Sequence, residues 1–411
     1  MKSLLSRLAA VAVLLLLPTA AGATALPGFR VQLLGSTAGF ASSLAVDSRG
    51  TIYYTTTDGH LFRLDAGGNS TLVAKVVTEA VGDSGLLGMA LMDDRTAVVH
   101  YTTPGEGYDV ISKIDLTDGT ETMVQRFVGD IGLPGRDVPP EHHGGNPTVG
   151  ADGSIFVGIG DYGGGQIASL PEWNGGKIFR IFPDGHAEQF ARGFRNPFDL
   201  IWDNDRQRLI LCDNGPAVDD EINIVTAGGN YGWPYTVGNN PPIDGDLPPR
   251  YVFPQVIAPT GMAALNGGNS ALPRGFLLGA FVTKAIYYVR DIDAEPLPAP
   301  IPLIQNETGF VIDVAQAANG DVYFVTGNAL YRLLTPARGD CNGDGVVDGK
   351  DVTALMLELG DGSVHAVTRA QEGAYAGSWG CDVNGDSLID WSDVTALLEL
   401  VAKRPRPVRS R

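Results

Sequence analysis

A strand-rich unit recurs along residues 27–335, and a repeat of this kind leaves few folds open. Its clearest copies are AVDSRGTIYYTTTDGHLFRLD, VGADGSIFVGIGD with GGKIFRIFPDG, LIWDNDRQRLILCDNG with DEINIV, and VAQAANGDVYFVTGNALYRLL. Weaker copies are LMDDRTAVVHYTTPGEGYDVISKIDLTDG and LPRGFLLGAFVTKAIYYVRDID. In each, a β-rich run meets an Asp-Gly or similar turn, a second run follows, and a third often ends in an aromatic and a basic residue. That makes about six units roughly 45–70 residues apart, each long enough for one four-stranded blade. The 54 glycines and a charged fraction of only 18 % suit short strands joined by tight turns. The pattern predicts an all-β six-bladed β-propeller over 27–335, with FRVQLL closing the last blade. A two-sheet β-sandwich is the other arrangement such runs permit. In a propeller, loops far apart in sequence converge at one end of the axis, so several blades can build one pocket.

The ends read differently. MKSLLSR, the apolar LAAVAVLLLLPTA and the small-x-small Ala23-Thr24-Ala25 predict a signal peptide over 1–25, hence a secreted, periplasmic or cell-surface protein. An uncleaved anchor is the alternative; no membrane span is expected in the mature chain. A net charge of −18 argues against nucleic acid as a partner. The end KRPRPVRSR predicts a basic disordered tail over 402–411. Cys212, in LILC, is expected to be a buried thiol. Cys341 and Cys381 each stand at the start of an acidic loop, and an exported chain permits, without requiring, their pairing.

Those loops are DCNGDGVVDGKD and DVNGDSLIDWSD. Both place oxygen side chains at loop positions 1, 3, 5, 9 and 12: Asp340, Asn342, Asp344, Asp348 and Asp351, then Asp382, Asn384, Asp386, Asp390 and Asp393. Calcium takes about seven oxygens, and this spacing wraps one ion, with position 7 (Val346, Leu388) giving a backbone carbonyl. Gly345 serves the sharp turn, whereas Ser387 replaces it in the second copy. A solvated acidic loop is the plainer reading. Each loop runs into the same helix sequence, DVTALMLEL or DVTALLELV. This duplicated loop-plus-helix unit resembles a type I dockerin over 339–401, a small α-helical domain with two F-hand calcium loops. The resemblance implies a cohesin module of a scaffold protein as partner, selected in part by Gly349-Lys350 and Trp391-Ser392, and a polysaccharide-degrading context.

Four further stretches are not explained by blade geometry alone: EHHGGNPTVGADGSIFVGIGD, ARGFRNPFDLIWD, CDNGPAVDDEINIVTAGGNYGWP and VGDSGLLGMAL. Together they offer a base, an orienting acid, a fixed cation and carbonyls for a metal. They resemble the soluble glucose/sorbosone dehydrogenase family, six-bladed propellers of which many bind pyrroloquinoline quinone (PQQ) with calcium. The resemblance implies His142 as the catalytic base, Asp161 as its orienting acid, and Arg195 with Asn196 facing the cofactor. It implies carbonyls of Gly215 and Pro216 on the cofactor calcium, Glu221 and Tyr231 at positions linked to additional calcium, and Asp83 as a sugar contact. It also implies oxidation of a carbohydrate hydroxyl and a separate electron acceptor.

The chain departs from the family pattern in its last blade. Where an Arg-x-Arg-Asp stretch pairs with cofactor carboxylates, this chain has FVID: Phe310 and Ile312 replace both arginines and Asp313 remains. Asn146 replaces a further arginine, and Lys284 lies near an expected lysine. Three readings therefore stand: a PQQ- and calcium-dependent sugar dehydrogenase, a glycan- or protein-binding propeller without quinone chemistry, and a lactonase or glycan-cleaving enzyme on the same scaffold. His143 is expected to be a solvated loop residue, and Trp233 and Tyr235 to pack a blade. Asp220 and Glu221 could equally serve turn amides.

Overall fold

The computed structural model describes residues 24–403, apart from 27, 106, 130–140, 244, 270, 273, 361–364, 367–377 and 386–387. The expected signal peptide before Thr24, Asp386 of the second acidic loop, and residues 404–411 of the tail lie outside the described residues.

Six four-stranded antiparallel blades form a propeller. Their innermost strands are Ala41–Val46, Leu86–Leu91, Thr148–Val149, Pro197–Asp203, Pro259–Ala264 and Val311–Gln316. Each lies against the innermost strands of the adjoining blades around the ring. The second strands IYYTT, IFVGI and FLLGA are buried at every position, because blades pack face to face. Outer strands such as Arg30–Ser36 and Ser70–Lys75 are buried at no more than one position each, which is why their apolar patterning is weak. The turns follow from Asp and Gly. Asp47 Oδ1 accepts from the amides of Arg49 (3.0 Å) and Thr51 (2.8 Å), and Gly50 takes a positive φ of 84°.

Ring closure is as expected from FRVQLL. Arg30–Ser36 pairs with Ala329–Leu334 and completes the sixth blade. Thr24–Ala25, within the small-x-small motif, adds a fifth strand to the fifth blade by pairing with Gln305 and Ile304.

Around the axis a girdle of hydrogen bonds joins all six blades. Asp313 accepts from Ser43 Oγ and Leu44 N, both at 2.8 Å. The Met89 amide donates to Ser43 Oγ (3.2 Å) and to Asn146 Oδ1 (3.4 Å). Asn146 Nδ2 donates to Asp199 (3.1 Å), which also accepts from Met262 N, and Thr260 Oγ1 returns to the sixth blade at Val311 O (3.0 Å). Asn146, aligned with a family arginine, thus serves the axis. Burial pushes Asp313 up to about 7, and burial together with Asp313 pushes Asp199 well above the usual carboxylate range.

The C-terminal unit holds two short helices that pack on each other, α1 (Gly349–Glu358) and α2 (Trp391–Ala402). Asp348 and Asp390 cap them, and Asp351 and Asp393 return bonds to the cap amides, so both N-termini form complete capping boxes. Cys341 and Cys381 pair as a disulfide with Cα atoms 4.5 Å apart. The unit shares a core with the fifth and sixth blades: Leu355, Val383 and Leu397 join Leu303, Val322 and Leu333. Trp379 sits edge-on to Phe29 (5.3 Å) and Tyr288 (5.6 Å). Cys212 is buried. No helix among the described residues is long and apolar enough to cross a membrane.

Candidate active site

His142 and Asp161 are brought together by two backbone segments that cross where only glycine fits. A Cβ on Gly160 would stand 1.9 Å from the His142 carbonyl oxygen, and one on Gly144 (φ +87°) would stand 2.1 Å from that of Gly158. His142 itself takes φ +55°, a left-handed conformation uncommon outside glycine. Its side chain is 14 % exposed, and Nδ1 lies 2.6 Å from Asp161 Oδ1.

Asp161 is held from every side. Oδ1 also accepts from Gly163 N (2.8 Å); Oδ2 accepts from Trp233 Nε1 (2.7 Å) and Gly165 N (3.0 Å). Burial raises its pKa, yet the bonds from His142, Trp233 and Gly163 outweigh it and leave the carboxyl below its ordinary value. Trp233 is therefore more than blade packing: its indole N–H fixes the acid that fixes the base. Tyr235, by contrast, is exposed at 62 %.

Arg195 and Asn196 lead into the fourth blade. Their amides donate to the two oxygens of buried Asp213 at 2.9 and 2.7 Å, and Arg195 Nη1 donates to Asn214 O (3.1 Å). Asn196 Oδ1 accepts from Gly144 N (3.1 Å), tying this segment to the histidine loop. Gly215 and Pro216 follow. A Cβ on Gly215 would stand 2.2 Å from Val218 O, so the turn admits glycine alone. Among the described residues neither the Gly215 nor the Pro216 carbonyl accepts a hydrogen bond. Asp220 serves amides, accepting from Gly215 N (3.0 Å), Ile257 N and Ala258 N (both 2.8 Å).

His142, Arg195, Asn196, Gly215 and Pro216 line one cavity of about 480 Å³, together with Asp83, whose Oδ2 accepts from His142 N at 3.2 Å. Glu221 and Tyr231 do not reach it. They line a small adjoining cavity of about 20 Å³ that shares Arg195, Asn214, Gly215 and Pro216. There the Glu221 carboxylate accepts from Gly238 N (3.0 Å) and Asn223 Nδ2 (3.2 Å), and the Tyr231 hydroxyl donates to Ile224 O (2.6 Å). Burial pushes Glu221 up to about 7; burial, with Glu221 nearby, pushes Asp213 up to about 8. Among the described residues no group of three or more His, Cys, Asp or Glu side chains is gathered as a metal centre.

The expectation for His143 is corrected. It is 1 % exposed rather than solvated, because the left-handed turn at His142 sends it into the second and third blades. Its Nδ1 lies 3.3 Å from Asp109 Oδ1, its Nε2 3.2 Å from Ser84 Oγ. Asp109 also meets His100 Nε2 (3.0 Å) and accepts from the Tyr162 hydroxyl (2.5 Å). Burial opposes ionisation of Asp109, but His143 and His100 outweigh it and bring it down to about 2; Asp109 in turn outweighs burial and raises His143. The sequence signal for this cluster is a titratable side chain at inward positions of apolar strands, in VVHYT and YDVIS.

One wall of the large cavity is apolar. Phe40, Val256, Phe281 and Ile312 line it, and Phe310 stacks on Phe281 at 4.1 Å with planes 8° apart. Lys284 approaches Phe310, its Nζ 5.3 Å from the ring.

In the C-terminal unit the acidic loops close on their last carboxylate. Asp351 Oδ1 accepts from Asn342 N (3.1 Å), and Asp393 Oδ1 from Val383 N (2.7 Å) and Asn384 N (3.0 Å). Asp340 Oδ2 accepts from Gly345 N (2.9 Å), whereas its buried Oδ1 has no partner. Burial, with Asp351 and Asp344 close by, raises Asp340. Val346 and Leu388 stand exposed at position 7.

Known proteins share this architecture. The chain is 28 % identical over 209 residues to quinoprotein glucose dehydrogenase B of Acinetobacter calcoaceticus, covering 40 % of this chain and 43 % of the relative. It is 24 % identical over 220 residues to an aldose sugar dehydrogenase of Escherichia coli, covering 47 % and 59 %. It thus spans about half the length of the curated relatives it matches. A PQQ-bound aldose sugar dehydrogenase from Streptomyces coelicolor superposes with a TM-score of 0.63 at 23 % identity, over 75 % of this chain and 99 % of that one. A glucose dehydrogenase structure gives 0.67 at 20 % identity, over 74 % and 99 %. The glucose/sorbosone dehydrogenase family model matches residues 40–335, and the chain belongs to that family.

Proposed function

We propose that the propeller oxidises a carbohydrate hydroxyl, using a quinone of the PQQ type together with calcium. The observation that carries this reading is the His142–Asp161 pair, 2.6 Å apart, opening into the same cavity as Arg195 and the Gly215-Pro216 carbonyls. The reacting edge fits the group: two carbonyls without donors suit a hard cation, and Arg195 stands at the same end. Bound quinone supplies the two-electron acceptor that no side chain can provide.

The chain's own residues do the rest. With Nδ1 turned to Asp161, Nε2 of His142 is left to take the proton of the sugar hydroxyl as the hydride leaves its carbon. The ionised Asp161 holds the ring and stabilises its charged form. Arg195 stabilises negative charge developing in the cavity. Asp83 lines the mouth beside His142, where a polyhydroxy substrate would meet it. Reduced acceptor would pass its electrons to a separate carrier.

Export through the signal peptide, and attachment to a cohesin through a calcium-loaded dockerin, complete the proposal. Support for the calcium loops comes from two matching copies and from the partnerless buried oxygen of Asp340, which a cation would satisfy. The test is a titration of the calcium-loaded protein with PQQ and dye-linked turnover on a panel of aldoses, beside His142→Ala. Turnover that survives His142→Ala, or none with any quinone offered, would sink the dehydrogenase reading in favour of a binding propeller.

A further inference from the structure

We propose that this pocket grips its oxidant by the faces of the ring rather than by its acidic groups, and so accepts a planar quinone with few or no carboxylates in preference to a tricarboxylate. The inference rests on the quinone reading above and names which member of that class the walls suit.

Charge is the first argument. Among the described residues lining the cavity, Arg195 is the one permanent cation, set against the carboxylates of Asp83 and Asp220. Arg195 already spends one N–H on Asn214 O, and its guanidinium lies 5.9 Å from the Trp233 ring. A ligand bearing three carboxylates would leave water for a lining that cannot return charge-assisted bonds to all of them.

Shape is the second. Phe281 lines one side of the cavity with Phe310 stacked parallel on it, and Phe40 stands at the rim. Phe40 is held in place: a Cβ on Gly327 would stand 2.4 Å from its ring, so the ring lies directly on that glycine. Yet Phe40 is 47 % exposed and Phe310 41 %. Large aromatics left in water around a concavity mark a surface that something apolar and flat covers. Lys284 is spent on the Phe310 ring and does not line the cavity. Of the two positions where a cation would face an acidic group, Ile312 lines this apolar wall and Phe310 backs it by stacking on Phe281.

The test is equilibrium binding to the calcium-loaded, full-length protein by calorimetry, with PQQ and with phenanthrenequinone, an uncharged planar quinone. Phenanthrenequinone is expected to bind at least about tenfold more tightly than PQQ. PQQ affinity should change less than about threefold between roughly 50 and 500 mM NaCl, since the Asp83 and Asp220 carboxylates offset Arg195 and the calcium. The double substitution Phe310→Arg with Ile312→Arg should reverse the order and make PQQ binding strongly salt-dependent. Tight, salt-sensitive PQQ binding by the natural chain, with phenanthrenequinone weaker, would overturn the inference and leave the dehydrogenase reading standing. Failure of both quinones to bind would overturn both.

Discussion

Replacing Asp161 by asparagine changes one atom in a site where four donors converge. Oδ1 serves His142 Nδ1 and Gly163 N; Oδ2 serves Trp233 Nε1 and Gly165 N. An amide keeps one oxygen. If that oxygen faces His142, the new NH₂ points at the Trp233 and Gly165 N–H groups, and two buried donors lose their acceptor at about 1–3 kcal/mol each. His142 keeps its tautomer but loses the carboxylate that stabilises its charged form. If the amide turns round, its NH₂ faces Gly163 N–H and demands a lone pair at His142 Nδ1. The ring proton then moves to Nε2, the nitrogen that must accept the sugar's proton. Either orientation removes a base-orienting charge of the kind whose neutral replacement costs about 10²–10⁴ in turnover. Dye-linked assays of Asp161→Asn should show that fall in kcat, with quinone affinity within about threefold of the parent, since Asp161 is absent from the cavity lining. A kcat within about fivefold of the parent in a folded variant would refute the assignment.

Other outcomes follow from the same geometry. His143→Ala removes one of three partners of buried Asp109, which keeps His100 and Tyr162, and should cost about 1–3 kcal/mol in urea unfolding. The loss should be largest between about pH 4 and 6.5: raised His143 stabilises below its unfolded pKa, and depressed Asp109 stabilises above its own. Asp313 behaves oppositely. Folded, it holds its proton up to about 7, so stability falls as pH rises from about 4 through 7, and Asp313→Asn should flatten that slope. Chelation should destabilise the C-terminal unit, with Asp340→Asn blunting the calcium dependence of its melting. Removing the Cys341–Cys381 bridge, which spans 40 residues, should cost that unit about 4 kcal/mol by the chain-entropy relation, read as a fall in its melting temperature.

The propeller was legible because its grammar is local. Asp-Gly turns and buried second strands such as IFVGI repeat whatever lies around them. The pair His142 and Asp161 was legible by family resemblance, and the crossing at Gly160 and Gly144 supplies the physical reason for the glycines beside it. What escaped depends on directions a sequence does not write. The sign of φ at His142 decides that two adjacent histidines part company, one to the cavity and one to Asp109. Trp233 read as packing because its partner lies 72 residues away, and the Phe281–Phe310 stack joins two blades whose register only the fold sets. Trp379 gave no hint of docking, since Phe29 and Tyr288 are remote from it in sequence.

The sixth blade is sewn from both ends of the repeat, Arg30 opposite Leu334. That seam governs how the molecule can be made. Bringing the ends of roughly 300 residues together costs about 5 kcal/mol of chain entropy by the logarithmic loop relation, and nothing offsets it until the last strand arrives. Until it closes, Arg30–Ser36 and Ala329–Leu334 each lack the strand they pair with in the finished blade, a non-local pairing of the slow kind and an edge open to a neighbour. Moving the seam, by joining the ends near 30 and 334 and cutting between two other blades, would keep the finished ring while changing which blade is sealed last.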